Sequence, residues 1–165
     1  EFSPLSQTIQ DTINEVREIS HHLHPHVLDR LGLKKAIESA INKAASASEI
    51  TFSSTIEDVN QLLSPGSEIH LFRIIQEAIN NILKHSDAHN ATIDLRKTGH
   101  EIHLQVSDDG KGFIMRGTKR ESIQSSGMGI SDMEERARLL KGKLNISSKI
   151  SAGTTVKLII PYQIL

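Results

Sequence analysis

Apolar and polar positions change period several times along the chain, and each change marks an element. From about Pro4 to His24, Ile9, Ile13, Val16 and Leu23 recur at alternating steps of four and three, with Ser20 filling the missing position. That is the seam of a helix that packs on another helix. Pro25 ends or kinks it. A second helix is predicted from Leu33 to about Ser48, with Ala36, Ile37, Ala40, Ile41 and Ala44 on its buried face. Residues 50–57 then switch to alternation, Ile50, Phe52 and Ile56 against Thr51, Ser53 and Glu57, which predicts a short strand. Ser64-Pro65-Gly66-Ser67 is a turn that opens a helix running to about His85. At about 100° per residue, Phe72, Ile75, Ile79 and Ile82 share one side of it, and Glu77, Asn81 and Lys84 gather on the other.

Two strands follow at roughly 91–97 and 101–107, joined around Gly99-His100. Ile102, Leu104 and Val106 point one way, and His103, Gln105 and Ser107 the other. Continuing the alternation puts Asp108 on the apolar side. A carboxylate at the inward end of a buried row is costly unless something pairs with it. Residues 113–126 are irregular and basic, with Arg116, Lys119 and Arg120, and Gly117 for flexibility. Ser131-Asp132-Met133-Glu134 fits a capping box opening a helix, which ends near Lys141 with Gly142 as terminator. Strands near 143–149 and 154–160 close the chain, with Val156, Leu158 and Ile160 alternating and Pro161 stopping the run.

Composition narrows the picture. The 165 residues suit one domain with an extra helix or two. Aromatics are only 3%, so the core must be built from Ile, Leu, Val and Ala. A net charge of -1 gives no reason to expect nucleic-acid binding. The lack of Cys excludes disulfides and thiolate metal sites. No apolar run approaches a membrane span and no signal peptide is visible, which fits a cytoplasmic location, including that of the cytoplasmic part of a membrane-bound sensor. Glu1-Phe2-Ser3 reads as a cloning scar, so the chain is expected to be a piece of something longer.

Three stretches carry candidate chemistry. Glu77 and Asn81 lie one helical turn apart, and a carboxylate and an amide oxygen at that spacing can organise hydrated Mg²⁺, which favours oxygen ligands and keeps waters. Lys84 adds positive charge. The bland alternative is a solvated helix face. In Asp108-x-Gly110-x-Gly112 the carboxylate could accept an adenine amino proton, while the glycines let backbone approach the ring; a hairpin turn uses the same residues. Gly127-Met128-Gly129-Ile130 precedes a helix, whose free N–H groups attract anions; a flexible loop is the alternative. Gly153-Thr154 is either a hairpin or a hydroxyl offered to a phosphate. Each is weak alone, and their order and spacing together are specific.

In that order the residues resemble the catalytic ATP-binding domain of two-component sensor histidine kinases, within the GHKL ATPase superfamily. Glu77-x-x-x-Asn81-x-x-Lys84-His85 matches the N box, Asp108-x-Gly110-x-Gly112 the G1 box and Gly127-Met128-Gly129-Ile130 the G2 box, with Met and Ile in place of the common Leu residues. Phe113 follows G1, as is common in these kinases. The resemblance covers about residues 68–161. Leu23 to Leu33 and Phe72-Arg73-Ile74-Ile75-Gln76-Glu77-Ala78 resemble the nitrate-sensor-type subfamily, although His24 stands where Arg is more usual.

The resemblance implies an α/β two-layer sandwich: a mixed, mostly antiparallel sheet with helices on one face. Residues 1–32 would be the remnant of the second dimerization helix and its linker, and 33–165 the ATP-binding domain. It implies that ATP lies between the helix of Glu77 and a lid at 113–127. Asn81 would hold Mg²⁺, Asp108 would read adenine, and Glu77 would orient or deprotonate the attacking group. Lys84, His85, Gly110, Gly112, Phe113, Gly127, Met128, Gly129, Ile130 and Thr154 would complete the ATP site. The implied reaction is γ-phosphoryl transfer to a His and then to an Asp of a response regulator, with dimerization helices of the same or a second kinase chain as further partners. In that subfamily an acidic residue follows the acceptor His. His21, His22, His24 and His26 are followed by His, Leu, Pro and Val, so the acceptor is expected outside this chain. The same His run could bind a metal, but it has no Cys to assist and lies at a helix end. The rival expectations are another GHKL enzyme, such as an anti-sigma-factor Ser kinase or a hydrolysing ATPase, and a non-catalytic partner-binding module.

Overall fold

The computed structural model describes residues 26–114 and 128–162. The predicted helix at 4–24 and the basic stretch with Arg116, Gly117, Lys119, Arg120 and Gly127 lie outside the described residues.

Helix α1 (His26–Ser46) is broken at Gly32, whose φ of 76° and ψ of 169° are not helical. The Asn60 side chain bridges the break, its Oδ1 accepting the Leu33 N–H at 3.0 Å. The second segment thus starts where the spacing of Ala36, Ile37 and Ile41 predicts, and Leu33, Ala36, Ile37, Ile41 and Ala44 are buried. Strand β1 (Thr51–Ile56) follows. Helix α2 (Pro65–Asn81) is capped by Ser64, whose hydroxyl accepts the Ser67 N–H at 3.3 Å, and Pro65 occupies the first turn, where no N–H is missed. Leu71, Phe72, Ile74, Ile75, Ala78 and Ile79 form its buried face.

The predicted helix to His85 changes character at Asn81. The α-helix ends there and a π turn, Ile82–Ser86, continues it. Ser86 is held at 7% exposure, its hydroxyl donating to the Ile82 carbonyl at 2.7 Å and accepting the Ala88 N–H at 3.1 Å. The wider turn breaks the helical phase that groups Lys84 with Glu77 and Asn81.

Strands β2 (Asn90–Thr98) and β3 (Glu101–Asp108) form the predicted hairpin. Helix α3 (Met128–Leu139) starts three residues before the predicted capping box, so Ser131 lies inside the helix rather than at its cap. Its C-terminus also differs from expectation. The left-handed residue is Lys141, with φ 52°, not Gly142. The Lys141 N–H bonds the Arg138 carbonyl at 2.9 Å and the Gly142 N–H bonds the Ala137 carbonyl at 2.8 Å, the paired bonds of a Schellman motif. Gly142 is needed for space: a Cβ there would lie 2.9 Å from the Ile159 carbonyl oxygen.

Strands β4 (Lys143–Ser148) and β5 (Thr154–Pro161) complete one sheet in the order β1-β2-β3-β5-β4. β1 and β2 are parallel and every other pair is antiparallel. The mixed sheet agrees with expectation. Its inner face carries Ala91, Ile93 and Leu95, Ile102, Leu104 and Val106, and Val156, Leu158 and Ile160, all buried with the apolar sides of the helices. Burying these rows, at roughly 1.5–3 kcal/mol per large aliphatic side chain, is what fixes the strands in register. The other face is polar, and in one row Ser53, Thr92, Ser107, Thr155 and Ser147 run side by side across all five strands.

Candidate functional site: a cavity between α2, α3 and the strand ends

The inner rows of β3 and β5 each run apolar until their last position. Ile102, Leu104 and Val106 lead to Asp108; Ile160, Leu158 and Val156 lead to Thr154. Asp108 and Thr154 are direct partners across the ladder. There the helices part from the sheet and leave a cavity of ≈ 560 Å³. Val106, Val156, Ile146, Met133, Ala78 and Ile82 give it apolar walls. Glu77, Asn81 and His85 reach it from α2 and its π turn, Asp108 and Thr154 from the strand ends, Lys111, Gly112 and Phe113 from the loop after β3, and Gly129 and Ile130 from the first turn of α3.

The structure therefore brings together nine residues that the motifs mark far apart in sequence. Lys84 is not among those lining the cavity and is exposed. Gly110 is buried behind the wall rather than in it. Met128 opens α3, and its side chain, like all of Gly127, lies outside the described residues. Along α1, beside Lys35, Asn42 and Lys43, a second depression is open to solvent and gathers no convergent chemistry.

The Asp108 carboxyl is half-buried. That desolvation pushes its pKa up, against the N–H groups of Gly110 and Thr154, which favour the charged form, while neighbouring Asp109 adds a smaller upward push. The Gly110 N–H donates to Asp108 Oδ1 at 2.9 Å. The carboxylate thus has donors on its protein side and faces the cavity with acceptor capacity left over.

Asp109, not singled out by the motif reading, anchors this loop. Its Oδ1 accepts the His89 and Asn90 N–H groups at 2.9 and 2.8 Å, and its Oδ2 accepts from Asn90 Nδ2 at 2.8 Å. Those bonds, the Asn90 ones foremost, lower its pKa to about 2. Ser86 is the second anchor, its carbonyl accepting the Lys111 N–H at 2.7 Å. A Cβ on Gly110 would lie 2.2 Å from that Ser86 oxygen, and one on Gly112 would lie 2.1 Å from the Lys149 carbonyl oxygen, so both glycines let backbone pass over backbone. On the rim, Lys111 Nζ pairs with Asp87 Oδ2 at 2.8 Å, an exposed contact worth at most about 1 kcal/mol.

Glu77 and α3 meet at Gly129. A Cβ there would lie 1.9 Å from Glu77 Oε1, so Gly129 sets how close α3 comes to the Glu77 carboxylate. A third anchor, Ser148, which the motif reading does not single out, ties the loop to the strands. Ser148 Oγ lies 2.9 Å from the Phe113 N, 3.0 Å from the Gly153 O and 3.0 Å from Thr154 Oγ1.

For the implied Mg²⁺, Asn81 offers one half-buried amide oxygen on the cavity wall, with Glu77 one turn earlier. Among the described residues no group of three or more His, Cys, Asp or Glu could cage an ion. That donor set fits an ion that keeps its waters and takes its remaining ligands from phosphate oxygens.

Solved structures share this architecture. The Acinetobacter baumannii histidine kinase AdeS superposes with a TM-score of 0.65 over 94% of this chain and 84% of its own, at 12% identity. The ATP binding domain of PrrB from Mycobacterium tuberculosis gives 0.61 over 80% and 95%, at 17% identity. The fold is that of histidine-kinase ATPase domains. The profile of the histidine kinase-, DNA gyrase B- and HSP90-like ATPases matches residues 66–164, and the chain belongs to that family. Its relatives include the sensor histidine kinase LiaS of Bacillus subtilis, 33% identical over 90% of this chain and 39% of its own length. The signal transduction histidine-protein kinase/phosphatase DegS of the same organism is 34% identical over 99% of this chain and 43% of its own. The chain thus spans about two fifths of the length of these relatives. Among the described residues no helix is long and apolar enough to cross a membrane.

Proposed function

We propose that the chain binds ATP with Mg²⁺ in this cavity and is the catalytic ATP-binding part of a sensor histidine kinase. The observation that carries this reading is the convergence of Glu77, Asn81, Asp108, Gly112, Gly129 and Thr154, from five separate segments, on one cavity with apolar walls. The apolar walls suit a purine ring. Asp108 accepts from its amino group. Asn81, at the polar side of the same cavity, holds Mg²⁺, which when bound supplies positive charge to the phosphates. Glu77 orients or deprotonates the attacking imidazole. Chemistry of this kind depends on positioning and electrostatics rather than a covalent nucleophile in the domain.

Further parts of the reading follow from resemblance. The resemblance of residues 23–33 and 72–78 supports the nitrate-sensor-type subfamily, and residues 1–32 are then the end of its dimerization region. The phosphoryl group passes to a His outside this chain and on to a response-regulator Asp, in the cytoplasm. Calorimetric titration of Mg-ATP into the chain and into Asp108→Asn tests the pocket. Micromolar binding that the substitution removes supports it, and binding that survives the substitution moves the base elsewhere. Rapid gain of acid-labile label from γ-labelled ATP would refute an acceptor outside the chain. No binding by the unmutated chain would favour a partner-binding module.

A further inference from the structure

We propose that Ser148 is a positioning residue that sets base specificity: it fixes the direction of the Thr154 hydroxyl proton, so that the cavity accepts a 6-amino purine and rejects a 6-oxo purine. The inference rests on the ATP reading and deepens it.

A serine hydroxyl has one proton to give and two lone pairs to receive. Ser148 has three polar neighbours. The Phe113 N–H, at 2.9 Å, can only donate. The Gly153 carbonyl, at 3.0 Å, can only accept. Thr154 Oγ1, at 3.0 Å, can do either. One arrangement satisfies all three at once. Ser148 gives its proton to Gly153 and receives from Phe113, so Thr154 must donate to Ser148. Two backbone groups thereby decide the orientation of a side chain that lines the cavity.

With its proton turned to Ser148, Thr154 shows the cavity only lone pairs. Its cross-strand partner Asp108 lies beside it, and the Thr154 N–H helps hold that carboxylate. An ionised carboxylate also only accepts. The wall at this point has two acceptors side by side and no donor. An exocyclic amino group carries two hydrogens and can serve both. A 6-oxo group would bring a third acceptor; the ring N1–H of such a purine can serve only one of the two wall acceptors, so the oxo oxygen and the other wall acceptor stay desolvated and unpaired. A site built around a donor on the ligand discriminates strongly against analogues that lack it.

The same serine holds the N–H of Phe113, where the chain leaves the strands toward 115–127. A change at Ser148 therefore affects both the base wall and the root of that stretch. A purely structural anchor would weaken all nucleotides alike, whereas a proton-orienting group changes their ratio.

The test is calorimetric titration, at pH 7 with Mg²⁺, of ATP and of inosine triphosphate, which has a 6-oxo group. The proteins are the unmutated chain, Ser148→Ala, Ser148→Thr, Thr154→Val and the Ser148→Ala/Thr154→Val double variant. The ATP preference is expected to fall about tenfold in Ser148→Ala, where Thr154 is free to turn its proton to a 6-oxo group. Ser148→Thr keeps a hydroxyl and restores the preference. In the Thr154→Val background, Ser148→Ala leaves the preference unchanged, because the two act as one unit. An unchanged ratio in Ser148→Ala, or an equal loss for both nucleotides, overturns the proposal. Amide exchange at Phe113 in the free chain separates the two levels of failure. Failure of the unmutated chain to bind either nucleotide refutes the ATP reading and this inference with it; faster Phe113 exchange in Ser148→Ala would then assign the serine a structural role only.

Discussion

One substitution type, glycine to alanine, has three different costs at Gly66, Gly99 and Gly153, and the structure supplies each. At Gly66, in the first turn of α2, an added Cβ meets nothing within 4 Å and φ is not positive. Alanine there loses less entropy on folding and is expected to stabilise by about 0.5 kcal/mol. At Gly99, in the β2–β3 turn, the space is equally open but φ is +61°. The left-handed penalty of about 1–2 kcal/mol, offset by about 0.4–1 kcal/mol from the unfolded chain, leaves a loss of about 1 kcal/mol. At Gly153 φ is +72° and the Cβ would lie 1.9 Å from the Asp108 carbonyl oxygen, 2.8 Å from its carbon and 3.2 Å from Asp109 Cα. All three are backbone atoms, so no side chain can swing away. The β3–β5 ladder must open at the Asp108–Thr154 pair, adding about 1–3 kcal/mol of overpacking to the strain, for a total of about 3 kcal/mol. Urea unfolding of the three variants, read at constant slope, measures the series. If Gly153→Ala costs no more than Gly99→Ala, the contact with Asp108 is not rigid and the packing argument fails. Because the displaced atoms carry Asp108, Gly153→Ala should also lose nucleotide binding under conditions where it is still folded.

Other perturbations test other links. Lys141→Gly removes left-handed strain at the end of α3 and should raise stability by about 0.5–1 kcal/mol, whereas Gly142→Ala should lower it; thermal melting decides, and a Lys141→Gly variant no more stable than the unmutated chain would refute the strain at Lys141. Ile75→Ala, at a fully buried position on α2, should cost about 2–5 kcal/mol in urea unfolding. Asp109 has a depressed folded pKa, so its stabilisation is fully present above the ordinary carboxylate range and is lost as pH falls toward about 2; an acid titration of stability should be flatter in this range for Asp109→Asn. For Asp108 the sign is opposite. Its folded pKa is raised, so the folded state holds that proton more tightly, and the ionised acceptor is lost on acidification before an ordinary Asp would protonate. ATP affinity should therefore fall on acidification at a pH above the ordinary Asp range, and calorimetry across pH would expose a fall confined to that range as a contradiction.

Periodicity carried the fold because burial here follows simple phases. The alternation of Ile102, Leu104 and Val106 placed Asp108 inward, and the helical phase of Ile75 and Ile79 placed Glu77 and Asn81 on the far side; both placements match the cavity. What periodicity could not carry was any departure from ideal repeat. The π turn at 82–86 moves Lys84 off the face an α-helix would give it, and the Schellman end of α3 puts Lys141, a residue with no preference for positive φ, where a glycine is usual. Contacts between distant segments were invisible for a different reason. Ser148 meets Phe113 35 residues away, and Asp109 meets Asn90 19 away, and neither residue type stands out in its local run. The Asp108-Asp109 doublet was the one available signal, since two adjacent carboxylates point to opposite faces of a strand and need separate partners.

The placement of the site follows from register. β3 and β5 each present three apolar residues inward and then a polar one, and the ladder sets the two polar ends opposite each other as Asp108 and Thr154. Three core pairs, Ile102–Ile160, Leu104–Leu158 and Val106–Val156, hold that alignment. A slip of one residue would turn the whole of β5 over, sending Val156, Leu158 and Ile160 to solvent. The hydrophobic loss from such a slip, several kcal/mol at about 1.5–3 kcal/mol per side chain, far exceeds what one hydroxyl and one carboxylate could gain in any new pairing. The core thus enforces the acceptor pair, and burial, which raises the Asp108 pKa, disfavours the charged carboxylate there despite the Gly110 N–H bond. On the proposed ATP reading, the strand register positions the base wall, and Ser148 at the end of β4 sets the direction of a single proton.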